Sequence, residues 1–142
     1  MSTEEGPVEH VDRWNLSLQG MPVTRISTEI RLVLSLHSDW EIAVEAPVRL
    51  SHGPVHVGPS VLLNPETESI APALELLGAR VLSAVAFKSG TLRLVFDTGH
   101  HLTCSPDPSF EAWQVMGPAG WRIVSLPGGG LAVWTDSGAS AS

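Results

Sequence analysis

The chain contains no tyrosine, one cysteine and one lysine in 142 residues. A lone cysteine, Cys104, excludes an internal disulfide, and the expected location is the cytoplasm. The single lysine, Lys88, and seven scattered arginines stand against 15 acidic residues, for a net charge of −7. Nucleic-acid binding draws most of its affinity from Lys and Arg on phosphates, so a nucleic-acid partner is not expected. No apolar run reaches the roughly 18 to 20 residues that cross a bilayer, so no membrane role is expected. The start, Met1-Ser2-Thr3-Glu4-Glu5, is acidic and has no basic segment followed by an apolar one, so no signal peptide is expected.

The most informative feature present is an internal repeat. Leu18-Gln19-Gly20, Val23, Leu34-Ser35-Leu36 and Ile42-Ala43-Val44 return as Leu76-Leu77-Gly78, Val81, Leu94-Val95-Phe96 and Leu102-Thr103-Cys104. The offset is 58 residues at the start and 60 at the end. Each copy reads as a turn at Leu-x-Gly, a strand, then a hairpin. The first gives strands at Val23 to Ile26, Arg31 to Leu36 and Trp40 to Glu45. The second gives Val81 to Phe87, Thr91 to Phe96 and His101 to Cys104, with glycine-bearing turns at Lys88-Ser89-Gly90 and Asp97-Thr98-Gly99. Shorter strands are expected at Val48 to Leu50 and Val55 to Val57. Three more follow, at Ala112 to Met116, Trp121 to Leu126 and Leu131 to Trp134. Alternation along the aligned strands puts Ile42, Val44, Leu102 and Cys104 on a core face.

One segment reads as helical. Ile70, Ala73, Leu74 and Leu77 have i, i+3, i+4, i+7 spacing, Ser69 or Asn64 offers a cap, and Gly78 sits where a terminating glycine belongs. The fold class is therefore α+β, mainly β: two pseudo-repeated antiparallel β-meanders with one intervening helix, curled into a half-barrel or barrel, with an open sheet packed on the helix as the alternative. Residues 1–13 read as a loose acidic tail. Residues 14–134 read as one β-rich domain with its repeat at about 18–45 and 76–105, and residues 135–142 as a flexible tail.

Phe110-Glu111-Ala112-Trp113, Gly117-Pro118-Ala119-Gly120 and Leu126-Pro127-Gly128-Gly129-Gly130-Leu131-Ala132-Val133-Trp134 complete the pattern. With the Leu-x-Gly repeats, from about Leu18 to Trp134, the chain resembles a family of short, uncharacterised actinobacterial β-rich proteins. That resemblance brings no activity, cofactor or catalytic residue with it.

The residues themselves point to no reaction. Cys104 with His100 and His101 suggests a thiolate dyad. Four strand residues span about 13 Å, however, and His101 points to the opposite face. A base for Cys104 would have to come from another strand, as His37, His52 or His56, and the competing reading is a small core residue aligned with Val44. His52-x-x-x-His56 spans a turn but supplies two of the three ligands a catalytic zinc needs. Gly128-Gly129-Gly130 precedes a strand without a following lysine, unlike a phosphate loop. Among Glu41, Glu45, Asp97, Asp107 and Glu111 no spacing selects an acid–base pair. No catalytic, cofactor-binding or metal-ligating residue is therefore expected, and the reading leans away from an enzyme.

Trp113, Trp121 and Trp134 cluster in the last 30 residues. Clustered tryptophans close a small core or anchor an interface. The candidate binding surface is Trp113, Trp121, Arg122 and Trp134. The leading functional reading is a small non-catalytic module that binds a protein partner, in the manner of an immunity protein or antitoxin. The alternatives are a small-molecule barrel such as a biosynthetic cyclase and a structural homodimer.

Overall fold

The fold was taken from a computed structural model, which describes residues 6–28, 31–37, 39–54, 60–64, 71–135 and 138–141. The described chain is mainly β. Its strands are β1 (Val8–Glu9), β2 (Arg13–Asn15), β3 (Val23–Ser27), β4 (Leu32–Leu36), β5 (Trp40–Val44), β6 (Val48–His52), β7 (Ser60–Leu63), β8 (Val81–Phe87), β9 (Leu92–Phe96), β10 (His100–Cys104), β11 (Trp113–Met116), β12 (Arg122–Ser125), β13 (Leu131–Thr135) and β14 (Gly138–Ala141). They form two antiparallel sheets. Sheet A runs β1-β2-β8-β9-β10-β6-β7 and sheet C runs β14-β13-β12-β11-β5-β4-β3.

Each sheet ends in an edge strand, so neither closes into the expected barrel. The alternating strands present Leu32, Leu34, Ile42, Val44 and Val115 from sheet C, and Leu92, Leu94, Leu102 and Cys104 from sheet A. All of these join one buried cluster. At about 25 cal/mol per Å2 of apolar surface removed from water, this shared core is the main force holding the sheets together.

The repeat is structural down to its irregularities. Between β3 and β4 the register shifts between Val23 and Arg25; between β8 and β9 it shifts between Val81 and Ser83, the matching position. Leu32 pairs with Val44 as Leu92 pairs with Cys104. The two Leu-x-Gly turns clasp each other reciprocally. Gly20 N–H donates to Val81 C=O at 2.8 Å, and Gly78 N–H donates to Val23 C=O at 2.9 Å. Both glycines have φ near +90°, at 88° and 87°, which an L side chain rarely adopts. Leu18 and Leu76 beside them are buried.

After its third strand each meander crosses to the other sheet. β6, which follows the first meander, pairs with β10 of the second; β11, which follows the second, pairs with β5 of the first. The strand order β3-β4-β5-β11-β12 is thus the counterpart of β8-β9-β10-β6-β7.

Three sequence expectations change here. The expected α-helix is a 3-10 helix over Ala71–Leu76. Its buried residues, Ala73 and Leu76, follow a three-residue period, while Leu74 and Leu77 are exposed. Three residues per turn satisfies the repeat's demand for a buried leucine before Gly78, which the 3.6 period of an α-helix does not. Ile70 and Ser69 lie outside the described residues. Within the expected acidic tail Val8–Glu9 form β1, which pairs with β2 and so extends sheet A beyond β8, and β14 pairs with β13 in the expected C-terminal tail. The strand expected at Val55 to Val57 lies outside the described residues, and β7 follows at Ser60–Leu63.

Candidate functional site

A cleft of about 910 Å3 lies where the edge of sheet A meets the turns of sheet C. Sheet A contributes Asn15 and Leu82, Ser83 and Ala84 of β8. Ser17 and Gln19 lie on the way to the first Leu-x-Gly turn. From sheet C come His37, Asp39 and Trp40 at the β4–β5 turn, and Pro118, Ala119 and Trp121 at the β11–β12 turn.

Local packing fixes its two tryptophans. Trp40 lies flat against Gly117, where an added Cβ would stand 2.5 Å from the ring. Trp121 meets Trp14 edge to face, with centroids 5.9 Å apart at 71°, and Gly6 closes on its Nε1 side.

The cleft collects the chain's backbone strain. Ser17, His37 and Ala119 have φ of 59°, 60° and 60°, and they are the non-glycine residues with positive φ among the described residues. All three line this cleft. A left-handed conformation costs an L residue roughly 1–2 kcal/mol, and it persists only where the surroundings over-determine it. Each position is clamped in that way. Ser17 N–H donates to Asn15 Oδ1 at 3.0 Å. His37 N–H donates to Pro22 C=O at 2.9 Å, and Thr24 Oγ1 donates to His37 C=O at 3.0 Å. Ala119 is held in a turn where Gly117 N–H reaches Trp121 C=O at 2.9 Å.

The tryptophans and Arg122 named from sequence separate in space. Trp113 is 1% exposed; its Nε1 donates to Gly90 C=O at 2.9 Å, and the Ser125 hydroxyl donates to the same oxygen. It belongs to the core, not the surface. Trp121 is half-buried in the cleft wall. Trp134 is 36% exposed on the outer face of sheet C, with Arg122 5.3 Å over its ring and bonded to Gln114 Oε1. Of the cleft residues, the sequence had singled out Trp121 as part of a surface and His37 as a base for Cys104; the others come from separate turns, β2 and β8 and share no local sequence signal.

Cys104 is buried, and burial pushes its thiol up to about 12, with the Asp107 carboxylate acting the same way. Its Sγ faces the carbonyls of Pro47 and Ser105, and no thiolate dyad is formed among the described residues. His52 does meet a histidine, but it is His100, its cross-strand neighbour, with ring centroids 4.9 Å apart. His100 Nε2 lies 3.3 Å from Glu75 Oε1, and Nδ1 lies 2.7 Å from Thr98 Oγ1. His56 lies outside the described residues, and the described residues hold no group of three or more metal-ligating side chains. The carboxylates serve locally. Glu45 pairs with Arg31 at 2.9 Å, Asp97 accepts from Arg80 N–H, and Asp107 accepts from Ser109 N–H. Gly128-Gly129-Gly130 closes a hairpin in which Leu126 N–H donates to Gly130 C=O.

Residues 14–135, from within β2 to the end of β13, match the pattern of DUF6188, a family of unknown function. The chain belongs to that family. The matched span takes in both repeats, the crossing strands and nearly every residue of the cleft. No curated protein and no solved structure matches the chain. No helix among the described residues is long and apolar enough to cross a membrane.

Proposed function

We propose that this chain is a non-catalytic binding module whose cleft receives a segment of a protein partner. The observation that carries the reading is the gathering of Ser17, His37 and Ala119, all left-handed, along one cleft. Strain of this kind is removed by glycine at no steric cost, so its retention at three converging positions marks a surface shaped for recognition. The lining supports recognition over chemistry. Two fixed tryptophan walls offer apolar area, and Asn15, Ser17, Gln19 and Ser83 offer neutral hydrogen-bonding groups. The one cysteine is buried and protonated elsewhere. The cleft is open rather than enclosed, which favours an extended segment over the small molecule of a closed barrel.

The test is selection of peptides from a displayed library against the native protein, followed by amide chemical-shift mapping. Binders should shift Ser17, His37 and Ala119 and weaken at least tenfold against Ser83→Trp, which fills the cleft with the fold intact. Binders that map elsewhere, or that bind Ser83→Trp unchanged, would refute the reading. A mass that rises with protein concentration and reverts in Ser83→Trp would replace the foreign partner with a second copy of the chain.

A further inference from the structure

The outer face of sheet A departs from the charge of the rest of the chain. Alternation puts Arg13, Phe87, Arg93, Val95, Thr103, His101 and Arg49 on the face opposite the core residues Trp14, Ala86, Leu92, Leu94, Leu102, Cys104 and Leu50; Val85 and Ser51 share that face but are themselves buried. From β8 to β7 the described residues put no carboxylate on this face, although the chain carries 15 acids against 8 bases. Arg93 pairs across the ladder with Thr103, and Thr103 pairs with Arg49. At about 4.8 Å per strand the two arginines stand roughly 10 Å apart with a hydroxyl between them.

Their charge is not spent within the protein. Arg13 is held by Asp12, at 3.0 and 3.1 Å. Arg93 and Arg49 have no carboxylate partner among the described residues; Arg49 donates to the Ser60 hydroxyl at 3.1 Å. Arg93 stacks over Phe87 at 5.2 Å, with Arg13 over the same ring at 4.8 Å. That stacking fixes the guanidinium plane. Its Nε is buried and has no hydrogen-bond acceptor. Buried polar groups are nearly always satisfied, and an unpaired donor on a charged group is costly. Burial, and then the Arg93 charge, also hold His101 below the usual imidazole range.

We infer that the outer face of sheet A, at Arg93, Thr103 and Arg49, is a second recognition surface that takes the carboxylates of an acidic segment of a protein partner. A carboxylate accepts two parallel N–H bonds from one guanidinium; with Arg93 Nε closed off by packing, the terminal Nη1 and Nη2 hydrogens make that fork. Arg49 and the Thr103 hydroxyl then hold a neighbouring acidic side chain across the strands. A nucleic acid draws its affinity from many phosphate contacts, and two arginines supply too few of them. This surface does not depend on the cleft and stands if the cleft reading fails.

The test is titration with an N-acetylated hexaglutamate peptide at low salt, read at the Arg93 Nε–H resonance. That resonance should shift and saturate. Binding should weaken at least tenfold in Arg93→Gln, and also in Arg93→Lys, which keeps the charge but loses the fork. It should weaken several-fold in Arg49→Gln. Arg122→Gln, on the other sheet, should bind as the native protein does. Thermal melts confirm that each variant is folded; if Arg93→Gln is not, Arg49→Gln and Thr103→Val carry the test. The inference is overturned if the Arg93 resonance does not move at millimolar peptide. It is also overturned if Arg122→Gln weakens binding as much as Arg49→Gln, or if inorganic phosphate or a single-stranded oligonucleotide binds more tightly than the peptide.

Discussion

Replacing Gly20 or Gly78 with alanine tests the internal symmetry quantitatively. Both glycines hold φ near +90°, and an added Cβ at either meets nothing within 4 Å. The substitution therefore introduces backbone strain without a clash. An L residue in the left-handed region costs about 1–2 kcal/mol, offset by about 0.5–1 kcal/mol from the freedom alanine removes from the unfolded chain. The net loss is about 1 kcal/mol at each site, a fall in Tm of a few degrees for a domain of this size. Because the two turns exchange equivalent hydrogen bonds, Gly20→Ala and Gly78→Ala should cost the same to within about 0.5 kcal/mol. Urea melts followed by tryptophan fluorescence measure this, with the midpoint shifting and the slope unchanged. Gly117→Ala is the contrasting control. Its backbone is extended, at φ −131° and ψ −175°, so there is no strain, but the new methyl would press into Trp40 from 2.5 Å. That variant should perturb the Trp40 environment, which the clasp variants leave alone. A negligible loss at one clasp glycine beside a full loss at the other would refute the symmetry argument.

Cys104→Ser should cost about 1–2 kcal/mol, the penalty of a hydroxyl in an apolar site, and the native thiol should resist labelling reagents at pH 8; rapid labelling would contradict the buried, strongly raised thiol. Trp113→Ala should cost about 3–5 kcal/mol as a buried aromatic, whereas Trp134→Ala should cost under about 1.5 kcal/mol; comparable melts for the two would reverse their placement. His101 binds its proton more weakly when folded than when unfolded, so the unfolded state holds more protons between the two titrations. Stability therefore falls as pH drops through about 6.5. His101→Gln should flatten that part of the pH–stability curve, and an unchanged slope would show that another group drives it. His37→Gly should raise stability by roughly 0.5–1 kcal/mol by releasing left-handed strain, while weakening whatever peptide the cleft selects.

The strands and the repeat were legible because alternation and the Leu-x-Gly spacing are local signals. Val23 and Val81 head equivalent hairpins, and Cys104 occupies the slot of Val44, as the alignment implied. The crossing of β6 and β11 was not legible. Which sheet a strand joins depends on pairings between Leu50 and Leu102, or Ile42 and Val115, that no short window of sequence contains. The helix was misread because Ile70, Ala73, Leu74 and Leu77 fit a 3.6 period, while burial selected Ala73 and Leu76. The cleft was largely invisible. Ser17, His37 and Ala119 are unremarkable in composition, and only their backbone angles single them out. The outer arginines looked scattered because Arg49 and Arg93 are 44 positions apart in sequence yet two strands apart in the sheet.

The crossing of β6 and β11 makes each half of the chain depend on the other. Neither half of the chain can finish its own sheet, since each meander's inner edge is completed by a strand that follows the other meander. Two copies of either half, associated about a twofold axis, would satisfy the same pairings. The single chain is in effect a symmetric strand-exchanged dimer whose subunits have been joined end to end. Tethering holds the halves at millimolar effective concentration. The second meander, with β2 along β8, walls one side of the cleft, while the first has β3 as an edge. The asymmetry that shapes the cleft thus arises where the two halves of a pseudo-symmetric chain differ.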